Sequence, residues 1–201
     1  MATQSASSEP EGHARSDLII RSSREDDLGA ITAIYRYHVL HGVASFEEVP
    51  PEREELALRR SRIVRQGLPY LVAEQSGRVI GYCYASLYRT RSAYRFTLED
   101  SIYIDAAEVR RGIGRALLSA VLERSSELGY RQMVAVIGGS DQCPSIRLHE
   151  ALGFRRAGLL TAVGYKFGNW VDTVLMQRPL RPGASRAPAE SGSPSKGDEY
   201  G

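Results

Sequence analysis

From Leu18 onward the apolar positions change period several times, and each change marks an element. Leu18, Ile19 and Ile20 form a short β-rich run. Ser23, Asp26 and Asp27 then offer N-cap and first-turn chemistry for a helix that carries Leu28, Ile31, Ile34 and Tyr35 on one face. Residues 38–51 break that period, Pro50 and Pro51 forbid its continuation, and a loop is expected there. A charged helix over 52–66 turns Leu56, Ile63 and the stem of Arg59 inward and stops at Gly67 and Pro69. Two β-rich runs, 70–74 and 79–87, joined through Gln75, Ser76, Gly77 and Arg78, predict a hairpin. After a polar interruption at 89–95, Leu98, Ile102, Tyr103 and Ile104 predict another strand. Beyond Gly114, Leu117, Val121 and Leu128, with Leu118 and Leu122 beside them, predict a helix with one buried stripe. The continuous apolar run 133–137 predicts a central strand buried on both faces. A helix opened by Pro144, bearing Ile146, Leu148 and Leu152 and stopped by Gly153, follows it. Two final strands, roughly 155–165 and 170–177, meet at Phe167, Gly168 and Asn169.

The order is strand, two helices, three strands, helix, strand, helix, two strands, which is mixed α/β with an antiparallel first half and helical crossovers later. The 201 residues suffice for one well-buried domain. Residues 1–16 and 181–201 are rich in Ser, Gly, Pro and Glu and are expected to be disordered tails around a single domain at 17–180. The formal charge of +2 suggests no nucleic-acid footprint. No run approaches the roughly eighteen apolar residues of a membrane-spanning helix. The N-terminus resembles neither a secretory nor a transit signal, so a cytoplasmic protein is expected. Cys83 and Cys143 match no metal-ligand spacing and are expected as reduced structural thiols, with no metal site.

Chemistry enters at the Arg- and Gly-rich turn 110–115, between the fourth strand and its helix. The first N–H groups of a helix lack intrahelical partners, and glycine lets an anion approach them closely. Arg110, Arg111 and Arg115 add charge suited to phosphate. No G-x-G-x-x-G follows the first strand, which disfavours a dinucleotide-binding module.

Six stretches together resemble a known family: V-A-S-F-E-E-V-P-P at 43–51, R-T-R-S-A-Y-R-F-T-L-E-D-S-I-Y-I at 89–104, R-R-G-I-G-R at 110–115, V-A-V-I-G-G at 134–139, S-I-R-L-H-E-A-L-G-F at 145–154 and V-G-Y-K-F-G-N-W-V-D at 163–172. The chain is identified as a member of the GNAT superfamily of N-acetyltransferases, similar within it to phosphinothricin and methionine sulfone or sulfoximine N-acetyltransferases. The resemblance implies a mostly antiparallel seven-stranded sheet, splayed at its central strands, flanked by about four helices. Acetyl-CoA is implied in the cleft, held by Ile102, Tyr103, Ile104, Arg110, Arg111, Gly112, Ile113, Gly114, Arg115, Gln142, Ser145 and Leu148. Two positions depart from the pattern: Val109 where Gln or Arg is usual, and Gln142 where Asn often contacts the pantetheine arm.

The implied reaction is direct acetyl transfer to the amine of a small amino-acid-like substrate, in a ternary complex. It needs a base for the ammonium, a stabilised oxyanion and a proton for the departing thiolate. The resemblance assigns catalysis to Glu99 and His149, and the acceptor pocket to Phe46, Tyr84, Arg89, Arg91, Tyr94, Glu99 and Tyr165. Arginine suits such an acceptor because its planar donors fork onto carboxylate-like groups. His38 and His41 are weaker candidates. A homodimer is implied. The alternatives are protein N-terminal or other amine acetylation on the same fold, and a non-catalytic CoA-binding sensor.

Overall fold

The computed structural model describes residues 18–139 and 143–187. The expected N-terminal tail, Gln142 and most of the expected C-terminal tail lie outside them. The strands are β1 (Ile19–Ser22), β2 (Tyr70–Gln75), β3 (Arg78–Leu87), β4 (Thr97–Ile104), β5 (Gln132–Gly138), β6 (Arg155–Lys166) and β7 (Asn169–Pro179). The α-helices are α1 (Leu28–His41), α2 (Arg53–Arg65), α3 (Ile113–Glu127) and α4 (Pro144–Ala151). One seven-stranded sheet results, in the order β1-β2-β3-β4-β5-β7-β6, antiparallel except where β4 meets β5. That parallel pair needs a crossover, which α3 supplies. The β2–β3 turn uses Ser76 and Gly77 at φ 52° and 73°, the left-handed pair that matches the twist of hairpin strands.

Ring contacts define the two faces of the sheet. Tyr70, Tyr82, Tyr84 and Tyr103 stack across β2, β3 and β4, and Tyr35 of α1 meets Tyr103 edge-on at 5.0 Å. Gly81, one position out of phase with Tyr82, faces the other way, where a Cβ would lie 3.3 Å from Leu117 of α3. Thus α1 and α3 cover opposite faces of the central strands. Leu117, Leu118 and Val121 are fully buried beneath α3, and truncating Leu117 to alanine should cost about 2–5 kcal/mol.

Three expectations fail for identifiable reasons. The first helix runs on to His41 instead of yielding to a loop at 38, because no breaker precedes Gly42 and Val39 continues the buried stripe of Ile31 and Tyr35. Leu128 is 48% exposed, because α3 ends at Glu127 and the stripe ends with it. In β5 Met133, Ala135, Ile137 and Gly138 are buried, whereas Val136 is 41% exposed. An exposed valine on a central strand marks an opening in one layer of the domain.

Candidate active site

The opening originates in the strand register. Pairing between β4 and β5 stops at Asp100–Ala135, while β3 follows β4 to Ile104 and β7 follows β5 to Gly138. Beyond Asp100 the two central strands therefore diverge. Asp105 N–H donates to Ile80 O, so by ladder alternation the N–H and C=O of Ile102 and the N–H of Ile104 turn toward the open edge. The Ile104 carbonyl there accepts a hydrogen bond from His38 Nε2 at 2.8 Å.

The glycine turn lies at the same end. Arg110 and Gly112 take left-handed conformations, φ 64° and 80°, and α3 begins at Ile113. Its first turn closes with Ala116 N–H to Gly112 O at 3.1 Å, so the N–H groups of Ile113, Gly114 and Arg115 precede any intrahelical bond. Gly114 packs closely enough that a Cβ would lie 3.2 Å from Leu148, 3.8 Å from Ile102 and 3.9 Å from Ile104. The structure thereby gathers Ile102, Ile104, Gly114 and Leu148 at one place, with Tyr103 buried on the opposite face and Ser145 in the first turn of α4. Free helix-terminal donors, a side-chain-free approach and an unpaired strand edge fit a diphosphate that carries an extended amide-containing arm. Of the three arginines, Arg110 and Arg115 are exposed at the turn, whereas Arg111 pairs with Glu108.

Strand alternation separates the two expected catalytic residues. Glu99 shares a face with Tyr103, and its parallel partners on β5 place Val134, Val136 and Gly138 on that face too. Asp100 faces the opposite way and meets His149 of α4, Oδ2 to Nε2 at 3.0 Å, with both side chains 1% exposed. His149 Nδ1 donates to Ser145 O at 2.7 Å, so both ring nitrogens are taken. Burial disfavours the charged imidazole, but the Asp100 carboxylate and the Ser145 carbonyl outweigh it and raise the His149 pKa. Asp100 Oδ1 is buried with no partner among the described residues. Burial also raises the Glu99 pKa, with the Asp100 charge acting the same way and Arg89 opposing it. A half-buried carboxyl of that kind can accept a proton from an ammonium held above the split.

On the Glu99 face, the loop after α1 brings Phe46 against two glycines. A Cβ on Gly138 would lie 2.6 Å from the Phe46 ring, and one on Gly164 of β6 would lie 2.3 Å from it. Tyr84 stacks on Tyr70 at 4.9 Å on this same face. Arg89 lies over the Tyr88 ring, Tyr94 meets Tyr88 edge-on, and Arg91 is exposed before the short turn Ser92–Tyr94. Tyr165 disagrees with its expected pocket role: it sits between Gly164 and Lys166 on the other face of β6, 58% exposed against Trp170. Asp100 escaped the sequence reading; the E-D pair in an alternating strand is the signal that would have revealed it.

Comparison with known proteins accords with this geometry. The acetyltransferase (GNAT) domain pattern matches residues 20–175. The chain is 52% identical to the phosphinothricin N-acetyltransferase of Alcaligenes faecalis, over 87% of this chain and 89% of that one. It is 37% identical to the L-methionine sulfoximine/L-methionine sulfone acetyltransferase of Salmonella typhimurium, over 81% and 95%. The crystal structure of a phosphinothricin acetyltransferase from Sinorhizobium meliloti, in complex with AcCoA, superposes with a TM-score of 0.84 at 52% identity, over 86% and 94% of the two chains.

Proposed function

The chain belongs to the GNAT acetyltransferase family, and from that premise we propose that it acetylates the amino group of a small amino-acid-like acceptor of the phosphinothricin, methionine sulfone or methionine sulfoximine type. The observation that carries this reading is the divergence of β4 and β5 beyond Asp100, which leaves Glu99 and the exposed Val136 on one face and an unpaired strand edge leading to the Gly112 turn.

Bound acetyl-CoA supplies the thioester that is attacked. In this reading the N–H groups of Ile113, Gly114 and Arg115 hold its diphosphate, and the open edge at Ile102 and Ile104 aligns its arm. Glu99 removes the proton from the ammonium of the acceptor, aided by a pKa raised toward the working range. The freed amine forms the C–N bond at the thioester carbonyl, the C–S bond breaks, and the departing thiolate takes the proton that the attacking nitrogen sheds. Arg89 and Arg91 receive the anionic end of the acceptor, and Phe46 and Tyr84 wall its pocket. His149, with both nitrogens engaged by Asp100 and the Ser145 carbonyl, anchors α4 behind the split instead of carrying protons.

The β6–β7 hairpin supports a homodimer. Leu159, Leu160, Val163, Tyr165, Phe167 and Trp170 are all exposed along it, which is a surface suited to a second copy. Acting on metabolite-sized amines, the enzyme is assigned to the cytoplasm. The test is thiol release from acetyl-CoA with methionine sulfone, methionine sulfoximine and phosphinothricin. Release with any of them supports the reading, and none with all three overturns it.

A further inference from the structure

The loop 42–51 spans the split. At its near end, α1 is tied to β4 by Tyr35 against Tyr103 and by His38 on the Ile104 carbonyl. Its middle is tied to the helices: Ser45 Oγ meets Tyr35 Oη at 2.9 Å, and Glu47 pairs with Arg59 of α2 at 2.5 Å. Its far contact is on β5 and β6, where Phe46 lies across Gly138 and Gly164.

One side chain fastens that far contact. Lys166, the last residue of β6, donates from Nζ to Gly42 O at 2.8 Å and to Ser45 O at 2.6 Å, and it is 3% exposed. Lysine is almost never so buried without an ion pair, since removing an ammonium from water is costly. Here two carbonyls at either end of the turn 42–45 take two of its three protons, the Phe167 ring lies 5.0 Å from Nζ and the Glu47 and Glu48 charges favour the ammonium, so both hydrogen bonds are lost if the turn undocks. Lys166 also shares its face of β6 with Gly164, the glycine under Phe46. Charge and slot act on the same segment.

We propose that Lys166 is a positioning residue for the acceptor site: it pins the turn 42–45 to the β6–β7 hairpin, holds Phe46 at a fixed height beside Val136, and so sets the size of the pocket on the Glu99 face. The claim rests on the proposed acetyl transfer for its kinetic consequence but not for its structural one. It assigns discrimination between acceptor tails to a residue that touches no acceptor atom. It also leaves the acetyl-CoA side, built by α3 and the glycine turn on the opposite face of the sheet, independent of Lys166.

Two variants separate the parts. Lys166→Met keeps a similar apolar stem and removes charge and donors; Gly164→Ala leaves Lys166 intact and expels the Phe46 ring. Hydrogen exchange of the ligand-free protein should show amides of 43–48 opening about tenfold faster or more in both variants, with the α3 amides unchanged. In steady state, the acceptor KM should rise about tenfold, the acetyl-CoA KM should stay within about twofold, and kcat should fall less than the acceptor KM rises. The ranking among methionine sulfone, methionine sulfoximine and phosphinothricin should also change. Unaltered exchange at 43–48 in Lys166→Met overturns the tether. Faster exchange with an unchanged acceptor KM overturns the specificity role. Absence of turnover in the unsubstituted protein would instead count against the acetyl transfer itself, and the exchange data alone would then decide the tether.

Discussion

His149 and Asp100 join α4 to β4 through one contact of 3.0 Å, sealed from water on both sides. Because the folded state raises the His149 pKa, the pair contributes stability in full below about 6.5, the unfolded value. That contribution is lost as pH climbs through the folded-state value. Urea midpoints of the unsubstituted protein should therefore decline on the alkaline side. Asp100→Asn should flatten that decline and lower stability by about 1.5–3 kcal/mol at pH 6, the range for a hydrogen bond to a charged group. Parallel pH profiles for the two proteins would refute the assignment.

Glu99→Gln should reduce kcat by about 10²- to 10⁴-fold, the usual contribution of a positioned base. The unsubstituted enzyme should gain activity with rising pH through a Glu99 pKa lying above the ordinary carboxylate value, and this acidic limb should vanish in the glutamine variant. Arg89→Ala removes the charge that holds this pKa down, so its limb should move to higher pH. Rate profiles over the acidic to neutral range measure all three.

At Gly112, φ of 80° places the backbone where a Cβ is strained, though no neighbouring atom obstructs it. Gly112→Ala should weaken acetyl-CoA binding by about 1–2 kcal/mol, the left-handed penalty for a residue with a Cβ, if the alanine turn relaxes out of shape. Calorimetric titration with acetyl-CoA reads this directly. The acceptor KM at saturating acetyl-CoA should be unaffected.

Asp27 is buried, which opposes its ionisation, but Arg21 and the Arg24 N–H outweigh burial and lower its pKa. Its contribution is complete above the unfolded value near 3.9 and is lost as pH falls through the lower folded value. Asp27→Asn should consequently be less stable than the unsubstituted protein at pH 6, with the difference shrinking on acidification. Denaturation midpoints from pH 6 down to 3 provide the check.

Trp170→Asp should yield monomers, because an added carboxylate beside Tyr165 would have to be desolvated in a contact between copies. Light scattering of both proteins at matched concentration decides this. Identical masses would remove the hairpin from consideration as the self-association surface.

The element order was readable because period and punctuation are local: Pro144 opens α4, Gly67 and Pro69 follow the end of α2, and Ser76-Gly77 makes a hairpin turn. The cleft was not readable from those signals. The run M-V-A-V-I is the same whether a helix or a ligand covers its second face, and only the register reveals that β4 leaves β5 after Ala135. Glu99 was identified through likeness, while alternation alone states that Glu99 and Asp100 diverge without stating which one meets the split. Lys166 lies in the stretch V-G-Y-K-F-G-N-W-V-D that carries the family likeness, but its burial depends on a loop more than a hundred residues away, which no local pattern encodes.

The opposed directions of Glu99 and Asp100 make strand phase a functional coordinate. A single residue inserted just before Leu98, with the β3 and β5 pairings kept, would rotate the carboxylates by half a pleat: Glu99 would press toward α4, and Leu98 would look onto the acceptor. An insertion within 89–95 would leave this phase intact, since the polar turn there absorbs it before β4 begins, and would shift Arg89 and Arg91 instead. Within β4 the same edit would exchange an acid for an alkyl group at the point of chemistry.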